Sequence, residues 1–174
     1  MTARKPLHNT GDHIDTIDTP ALAVDIDRLK ANIGKMAAYA AEKGVAVRPH
    51  FKTHKCLAIA HLQIEAGATG LCCQKVSEAE ILVAGGISDV LVTNEIFVPA
   101  KLDRLVALSA QARIGICIDS AEGLENLLSA CCKSASPIDV YVEVDLGTVR
   151  SGVETPDEVL ALAKLVSKGA NMRF

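Results

Sequence analysis

Short apolar runs alternate with helical patterns along most of this 174-residue chain, and this alternation constrains its fold more than any other feature. The helical patterns place apolar residues three and four positions apart, and several end at glycine. Neighbouring parallel strands need a crossover connection, which a helix supplies. The alternation therefore predicts an α/β fold with a parallel sheet that is buried on both faces. The predicted strands lie at 21–25, 45–51, 70–74, 89–94, 112–120 and 138–145, and "NMRF" at 171–174 is typical of the start of a further strand.

Two architectures fit this alternation, a doubly wound open sheet and a (β/α)8 barrel. A dinucleotide-binding open sheet carries Gly-x-Gly-x-x-Gly after its first strand, whereas this chain has "PHFKTHK" at 49–55. We therefore predict the N-terminal part of a (β/α)8 TIM-type barrel, incomplete, with about five of its eight strands plus helices. An open strand edge of this kind would require a longer polypeptide or a partner chain.

Capping residues predict where several helices begin and end. Gly44 follows a long helical pattern and is expected to end it. Pro99 suits a first helical turn, and "TPDE" at 155–158 is typical of a helix start. Two further starts are predicted from capping pairs, Ser77 with Glu80 and Asp119 with Glu122.

Composition and charge argue against two classes of partner. With 49% hydrophobic residues, 22% charged residues and a net charge of -3, the chain is typical of a soluble globular protein. It has no basic tract, and two Tyr, three Phe and no Trp offer few surfaces for base stacking, so no nucleic-acid partner is expected. The N-terminal segment lacks the apolar region of a signal peptide, and no run is long enough to cross a bilayer. We expect a cytoplasmic protein without a membrane partner.

The six cysteines indicate neither a zinc site nor a disulfide framework. None of them forms a Cys-x-x-Cys motif. We expect reduced thiols that are buried in the core. These residues are Cys56, Cys72, Cys73, Cys117, Cys131 and Cys132.

Candidate functional side chains follow the predicted strands, because barrel enzymes gather them at the carboxyl ends of their strands. Lys52 follows an apolar strand, so its amine is expected in a partly dry pocket, where desolvation lowers the pKa of a lysine and exposes the nucleophilic amine. The alternatives are a solvated loop lysine and a cofactor-free aldolase in which this amine condenses directly with a carbonyl substrate. The full set is Lys52, His50, Thr53, His54, Gln74, Thr93, Asn94, Asp119, Asp145 and Arg150.

Two pairs among these residues have structural as well as functional interpretations. His50 and His54 are four residues apart, but the preceding proline disfavours a helix and Phe51 stands where a zincin helix has Glu, so no metal site is predicted there. Arg150 is permanently charged and needs an anionic partner. That partner is either Asp145, in a structural ion pair, or a ligand.

Four segments resemble those of a known enzyme family in their order and spacing: "RPHFKTHK", "CCQKVSEAE", "VTNE" followed by "PAKL", and "VEVDLGTVRSGV". They resemble the D-threonine aldolases and their relatives, the eukaryotic-type D-serine dehydratases and the D-3-hydroxyaspartate dehydratases. These are alanine racemase-like, fold-type III pyridoxal phosphate (PLP) enzymes. The resemblance runs from about Asp18 to the last residue and divides the chain into an N-terminal extension at 1–17 and a partial PLP-binding barrel domain at 18–174.

This resemblance implies a role for each of five residues. Lys52 matches the lysine that forms a Schiff base with the cofactor, and Arg150 matches the arginine that contacts the phenolic oxygen of its ring. Gln74 and Asn94 match polar positions that face the cofactor, and His50 is expected to support the pocket. No residue of the chain matches a metal ligand.

The resemblance also implies an activity, a PLP-dependent lyase that cleaves D-3-hydroxy amino acids to glycine and an aldehyde. A D-serine or D-3-hydroxyaspartate dehydratase, an inactive fragment and a PLP-binding carrier are the alternatives. The family further implies a small D-amino acid substrate, a homodimer, and a divalent metal of the Mn, Mg or Zn type. The metal ligands and the phosphate-binding residues are expected outside this chain.

Overall fold

The computed structural model describes residues 11–174, which contain six α-helices and five β-strands. The predicted N-terminal extension at 1–17 therefore lies mostly outside the described residues, and the domain division at 18 stays a prediction. None of the helices between residues 11 and 174 combines the length and apolar character needed to cross a lipid bilayer. The helices are α1 (Ile26–Lys43), α2 (Leu57–Glu65), α3 (Val76–Ala84), α4 (Pro99–Ala107), α5 (Ala121–Cys131) and α6 (Pro156–Val166). The strands are β1 (Leu71–Cys73), β2 (Asp89–Val92), β3 (Arg113–Ile118), β4 (Ile138–Val142) and β5 (Met172–Arg173).

The five strands form one parallel sheet in which each strand pairs with the next one along the chain, in the order β1-β2-β3-β4-β5. Helices α3 to α6 make the four crossovers between successive strands. A doubly wound sheet reverses its strand order near the middle, whereas a (β/α)8 barrel keeps chain order throughout. The topology confirms the predicted α/β class and the N-terminal part of a barrel.

The strand predicted at 21–25 is wrong. This segment is mostly exposed, with 99% exposure at Leu22 and 58% at Val24, and it pairs with no strand in the described part of the chain. An apolar run without a neighbouring strand has no ladder to satisfy its backbone groups. The run at the other end of the chain does have a neighbour, because β5 pairs with β4, so the further strand predicted at 171–174 is confirmed.

The strand predicted at 45–51 is also wrong, although its backbone lies beside β1. The Thr69 amide donates to the Val47 carbonyl (3.0 Å), and the Cys72 amide donates to the Pro49 carbonyl (2.7 Å). Proline has no N–H with which to return such a bond, so a regular ladder cannot form here. The chain instead passes directly into a 3-10 turn at Phe51–Thr53.

The outer face of the sheet packs against α3 to α6 and forms the hydrophobic core. Side chains alternate between the two faces of a strand, and the outer residues Val90, Val92, Ile114 and Ile116 are at most 1% exposed. The opposite face, here called the inner face, is less apolar and more open, with Tyr141 at 43% exposure. The helices contribute Leu82, Leu102, Leu105, Leu124, Leu127, Leu162 and Val166 to the same core.

Charged side chains of alternating sign line the inner face near the amino ends of the strands. Arg48 donates to Asp89 through both terminal guanidinium nitrogens (2.7 and 3.1 Å), and Arg113 and Arg173 both bond to Asp139. Asp139 is only 6% exposed, and its two cations compensate a charge whose burial would otherwise be costly. We call these five residues the charge ladder. No sequence pattern predicted it.

Three of the predicted helix caps are confirmed. Gly44 ends α1 in the left-handed conformation, at φ 63°. Pro99 lies in the first turn of α4. Thr155 and Glu158 form a reciprocal capping box at the start of α6, in which each side chain accepts from the other residue's backbone amide.

The other two predicted caps are wrong. Ser77 does not cap α3, and Glu80 bonds to Arg104 of α4 instead, because a guanidinium offers a stronger, charged donor than a helix amide. The N-cap of α5 is Ser120, one residue beyond the predicted Asp119.

The cysteine prediction is confirmed for three residues. Cys73, Cys117 and Cys131 are buried, and all six cysteines are free thiols. Burial raises the pKa of Cys73 and Cys117 to about 12 and that of Cys131 to about 11, so these thiols stay protonated. Cys132 is exposed, so the prediction is wrong there.

Replacing Ile114 by alanine should lower the free energy of unfolding of the full-length protein by about 2–5 kcal/mol, because a fully buried side chain would leave a cavity in the core. Urea unfolding followed by circular dichroism measures this loss. The matched control is Leu160→Ala on α6, where the side chain is 51% exposed and the expected loss is below about 1 kcal/mol. Equal losses would contradict the assignment of the outer face as the core.

Candidate active site

The predicted site residues come from successive strand ends at one edge of the sheet. Lys52 lies in the 3-10 turn that crosses the carboxyl end of β1, and Gln74 follows that strand directly. Asn94 follows β2. Arg150 lies on the loop between β4 and α6. The parallel topology therefore brings the predicted residues to the edge at which barrel sites form.

The turn that carries Lys52 is fixed by its two neighbours. Phe51 is 1% exposed and packs in the core. The His50 ring accepts from the Lys52 amide at Nδ1 (3.2 Å) and lies 3.1 Å from the Thr93 hydroxyl at Nε2. Thr93 in turn donates to the Cys73 carbonyl (3.3 Å). These bonds connect the lysine turn to the ends of β1 and β2.

The hydrogen bonds also define the state of His50. Burial, followed by the charge of Lys52, lowers the pKa of this imidazole, so it is neutral at pH 7. Because Nδ1 accepts from a backbone amide, Nε2 carries the ring proton and donates it to Thr93. His50 therefore acts as a fixed, uncharged support beside the lysine.

The amine of Lys52 has a polar partner but no ionic one. Its Nζ donates to Gln74 Oε1 (3.2 Å), while the Gln74 carbonyl accepts from Asn94 Nδ2 (3.2 Å). No carboxylate in residues 11–174 forms an ion pair with this amine. The partly dry pocket predicted around Lys52 is not formed by these residues, because the side chain is exposed.

The second lysine of the motif is in a different environment. Lys55 adopts a left-handed backbone conformation (φ 49°), and its Nζ lies 3.2 Å from Glu78 Oε1. Glu78 is 5% exposed and also accepts from the Gln74 amide (2.9 Å). Burial alone would raise the pKa of Glu78, but the bonds from Gln74 and Lys55 outweigh it, so the pKa is lowered. Lys55 is thus held in an ion pair, whereas Lys52 is not.

His54 turns away from His50. Its Nδ1 accepts from the Cys56 amide (3.2 Å), and its ring packs edge-on against Phe51, with 5.3 Å between the ring centroids. The two histidines thus have separate neighbours on opposite sides of the turn. Residues 11–174 contain no group of three or more His, Cys, Asp or Glu side chains arranged to hold a metal ion.

The ion pair considered between Asp145 and Arg150 does not form. Asp145 accepts from the backbone amides of Gly147 (2.9 Å), Thr148 (2.7 Å) and Val149 (2.8 Å) in its own loop. Desolvation opposes these bonds, but together they outweigh it and lower the pKa of Asp145. Arg150 is exposed and pairs with no carboxylate in the described part of the chain, which leaves its guanidinium available to an anionic ligand.

The sequence patterns did not predict two features of this site. Glu78 was not a candidate, although it bonds both to Gln74 and to Lys55; the only signal was a charged residue inside an apolar helix. Gly152, which closes the Arg150 loop, has φ 102°, and a Cβ there would lie 2.5 Å from the Asp145 amide nitrogen. A side chain would therefore push this loop away from the end of β4.

These observations define a (β/α)8-type domain whose site lies at the carboxyl edge of the sheet and contains one unpaired lysine. Residues 24–174 match the family described as "Alanine racemase, N-terminal domain". The chain therefore belongs to the alanine racemase N-terminal domain family, and the family resemblance carried by its motifs is confirmed.

Individual relatives agree with this assignment. The chain is 45% identical over 162 residues to a D-threonine aldolase of an Arthrobacter species, covering 93% of this chain and 43% of that protein. It is 32% identical over 153 residues to a D-threo-3-hydroxyaspartate dehydratase of a Delftia species, covering 87% and 40%. The crystal structure of D-threonine aldolase from Filomicrobium marinum matches with a TM-score of 0.88 and 44% identity, covering 91% and 43%. The chain spans less than half the length of each of these proteins.

Replacing Lys55 by methionine should lower the free energy of unfolding of the full-length protein by about 1 kcal/mol at neutral pH, because the buried Glu78 carboxylate loses a partly screened cation. The folded-state pKa of Glu78 lies below its ordinary value of 4.5, so this stabilisation is present above that value and is lost as the pH falls through the lower, folded-state pKa. Urea unfolding at neutral and acidic pH measures the difference.

The control for this experiment is Lys101→Met on α4, an exposed lysine that forms no ion pair within residues 11–174. It should change the free energy of unfolding by less than about 0.5 kcal/mol at either pH. If the free energy of unfolding of Lys55→Met is still lower than that of the wild type in acid, the loss comes from packing and not from the charge of Glu78.

Proposed function

We propose that the full-length protein is a PLP-dependent lyase that cleaves D-3-hydroxy amino acids to glycine and an aldehyde. The observation that carries this proposal is the contrast between Lys52 and Lys55. The Lys52 amine is exposed and, within residues 11–174, hydrogen-bonds to a neutral amide and to no carboxylate, whereas the Lys55 amine is neutralised by Glu78. A lysine at a strand end without a counter-ion is suited to binding a carbonyl group covalently.

The residues of this chain fit the chemical groups of PLP. The Lys52 amine would bind the aldehyde, and the unpaired Arg150 guanidinium would contact the phenolic oxygen as a fixed cation. Gln74 and Asn94 would face the ring as neutral hydrogen-bonding groups, and His50 would support the turn. We expect the phosphate group, and the divalent metal of the full-length protein, to be bound by residues outside this chain.

When bound, PLP supplies an electron sink for the charge left on the substrate as a bond to Cα breaks. The chain's own residues prepare the site for this chemistry. Lys52 must lose a proton before its nitrogen can attack a carbonyl carbon, and Gln74 Oε1 orients that nitrogen by accepting its hydrogen bond. Neutral His50 adds no positive charge beside the amine, and Arg150 stays charged at every physiological pH.

The higher identity to a D-threonine aldolase (45%) than to a D-threo-3-hydroxyaspartate dehydratase (32%) supports the aldolase activity. The dehydratase is the second candidate, because that relative matches almost the same span of the chain. In either case we propose a small D-amino acid as substrate, a homodimer, and a cytoplasmic location. An inactive fragment or a PLP carrier would bind the cofactor without consuming any D-amino acid.

Incubating the full-length protein with D-threonine, PLP and a divalent metal should give glycine and acetaldehyde in equal amounts. Cleavage between Cα and Cβ yields these two products, whereas dehydration yields 2-oxobutanoate and ammonia. Chromatography of the amino acid and of the derivatised carbonyl products distinguishes them. Formation of the keto acid alone would refute the aldolase activity, and cofactor binding without turnover would favour the carrier.

Replacing Lys52 by alanine should abolish the visible absorbance of lysine-bound PLP and its fixation by borohydride, because the only proposed covalent attachment point is removed. Lys75→Ala, an exposed lysine next to Gln74, should retain both signals. Fixation of a carbonyl substrate to Lys52 without added PLP would favour the cofactor-free aldolase. Unchanged absorbance in the Lys52 variant would mean that the attachment point is a different lysine.

A further inference from the structure

Beyond Arg113, strand β3 presents two small residues to the inner face of the sheet. Gly115 lies between Leu91 of β2 and Asp139 of β4, and a Cβ on it would lie 2.8 Å from Leu91 Cδ1 and 3.2 Å from Tyr141 Cε2. The next inner residue of β3 is Cys117, which is also small and is buried. The side chains of the two flanking strands can therefore approach each other over β3.

Two glutamates use this space at the carboxyl end of the sheet. Glu95 follows the end of β2 by three residues, past a bend at Asn94, and Glu143 directly follows β4. Their strands are two spacings apart, about 10 Å, so both side chains must lean over β3 to meet. Both carboxyl groups act on Cys117 between them: burial, followed by the charges of Glu143 and Glu95, raises the pKa of this thiol.

The contact between the two carboxyl groups requires a proton. Glu95 Oε1 is buried and receives no hydrogen bond from any donor in the described residues, yet the Glu143 carboxyl group lies within hydrogen-bonding reach. Two carboxylates have only acceptors to offer each other, whereas one carboxylic acid and one carboxylate form a strong bond.

The surroundings of Glu95 favour the protonated form of its carboxyl group. Burial, followed by the hydrogen bond with Glu143 and the charges of Glu143 and Asp119, raises the pKa of Glu95 to about 7. The titratable groups near Glu95 are Cys117 on β3, Asp119 just after β3, and Glu143 just after β4. No lysine or arginine in residues 11–174 pairs with these carboxyl groups.

The same cluster holds the loop that carries Arg150. Ser151 donates its hydroxyl to Glu143 Oε1 (2.7 Å), and the Gly152 amide donates to Asp119 Oδ2 (3.2 Å). Both bonds are made by residues that directly follow Arg150 in the chain. A movement of the Glu143 side chain would therefore shift the arginine as well.

We propose that Glu95 and Glu143 share one proton above Cys117 and that this carboxyl pair is a positioning element for the Arg150 loop. The proposal rests on the proposed function, in which Arg150 contacts the cofactor. Loss of the shared proton leaves two carboxylates that repel each other, so the Glu143 side chain moves and the Ser151 bond weakens. Cofactor binding then weakens as the pH rises through neutrality.

The key variant is Glu95→Gln in the full-length protein, because the Gln side chain can donate to Glu143 at every pH. The first measurement is the dissociation constant of PLP, from the absorbance of the bound cofactor, at about pH 6 and about pH 8.5, on either side of the pKa near 7. Between the two pH values the dissociation constant should rise by a certain factor in each protein. That factor should be about five times larger, or more, in the wild type than in Glu95→Gln. Glu125→Gln, an exposed residue on α5, is the control and should follow the wild type.

The second measurement needs no cofactor. The pKa of Glu95 is raised in the folded state, so the stability it contributes is complete below 4.5 and is lost as the pH rises through about 7. The melting temperature of the wild type should therefore fall relative to that of Glu95→Gln between about pH 6 and about pH 8.5. Cys117→Leu, which places a larger side chain between the glutamates, should remove the same pH dependence, and Cys117→Ala should retain it.

The two measurements separate the possible failures. If PLP binds with no lysine-dependent absorbance at any pH, the proposed function fails, while the melting curves still decide whether the pair exists. If Glu95→Gln keeps the wild-type pH dependence in its melting temperature, there is no shared proton and the proposal is overturned. If the melting curves differ as expected but the dissociation constants do not, the pair does not position Arg150 and the proposal is equally overturned.

Discussion

Parallel pairing in chain order makes every strand of this sheet point the same way, and the rest of the structure depends on that constraint. The helices must return the chain to the starting edge each time, so they cover one face and bury its apolar side chains. The amino ends of the strands then share one edge, where the charge ladder lies, and the carboxyl ends share the other. The groups that stabilise the sheet and the groups that could bind a ligand are thereby separated along the strands.

The balance of charge at the carboxyl edge follows from local hydrogen bonding. Three carboxylates there have partners within the protein: Glu78 binds Lys55, Asp145 binds its own loop, and Asp119 binds Gly152. Lys52 and Arg150, in contrast, have no ionic partner in the described residues. These two cations are therefore available to an anionic cofactor such as a phosphate ester without the breaking of an ion pair within residues 11–174.

The sequence was most informative where one residue pattern is enough to specify the local structure. Apolar runs predicted β1 to β4, and Gly44, Pro99 and Thr155 predicted helix ends, because each of these signals acts within a few residues. The run at 21–25 failed because it has no neighbouring strand in the described residues, which is a property of the pairing and not of the run. The run at 45–51 failed because Pro49 has no N–H with which to complete a ladder beside β1. Strand placement and family resemblance both separated Lys52 from Lys55, but the ion pair that distinguishes the two lysines depends on Glu78 of α3, which packs against the turn. The contact of Glu95 with Glu143 joins segments that follow two non-adjacent strands, which no local pattern encodes.

The charge ladder bears on how the sheet assembles. A strand that paired one residue out of register would turn its ladder residue toward the apolar outer face, where an unpaired Asp89 or Asp139 would be costly to bury. A slip of two residues would keep the correct face but pull each acid away from its arginine. Strands β3, β4 and β5 each carry a ladder residue that pairs with an opposite charge on the preceding strand, namely Arg113 with Asp89, Asp139 with Arg113 and Arg173 with Asp139. The ladder thus favours the native alignment of these three strands over slipped alternatives.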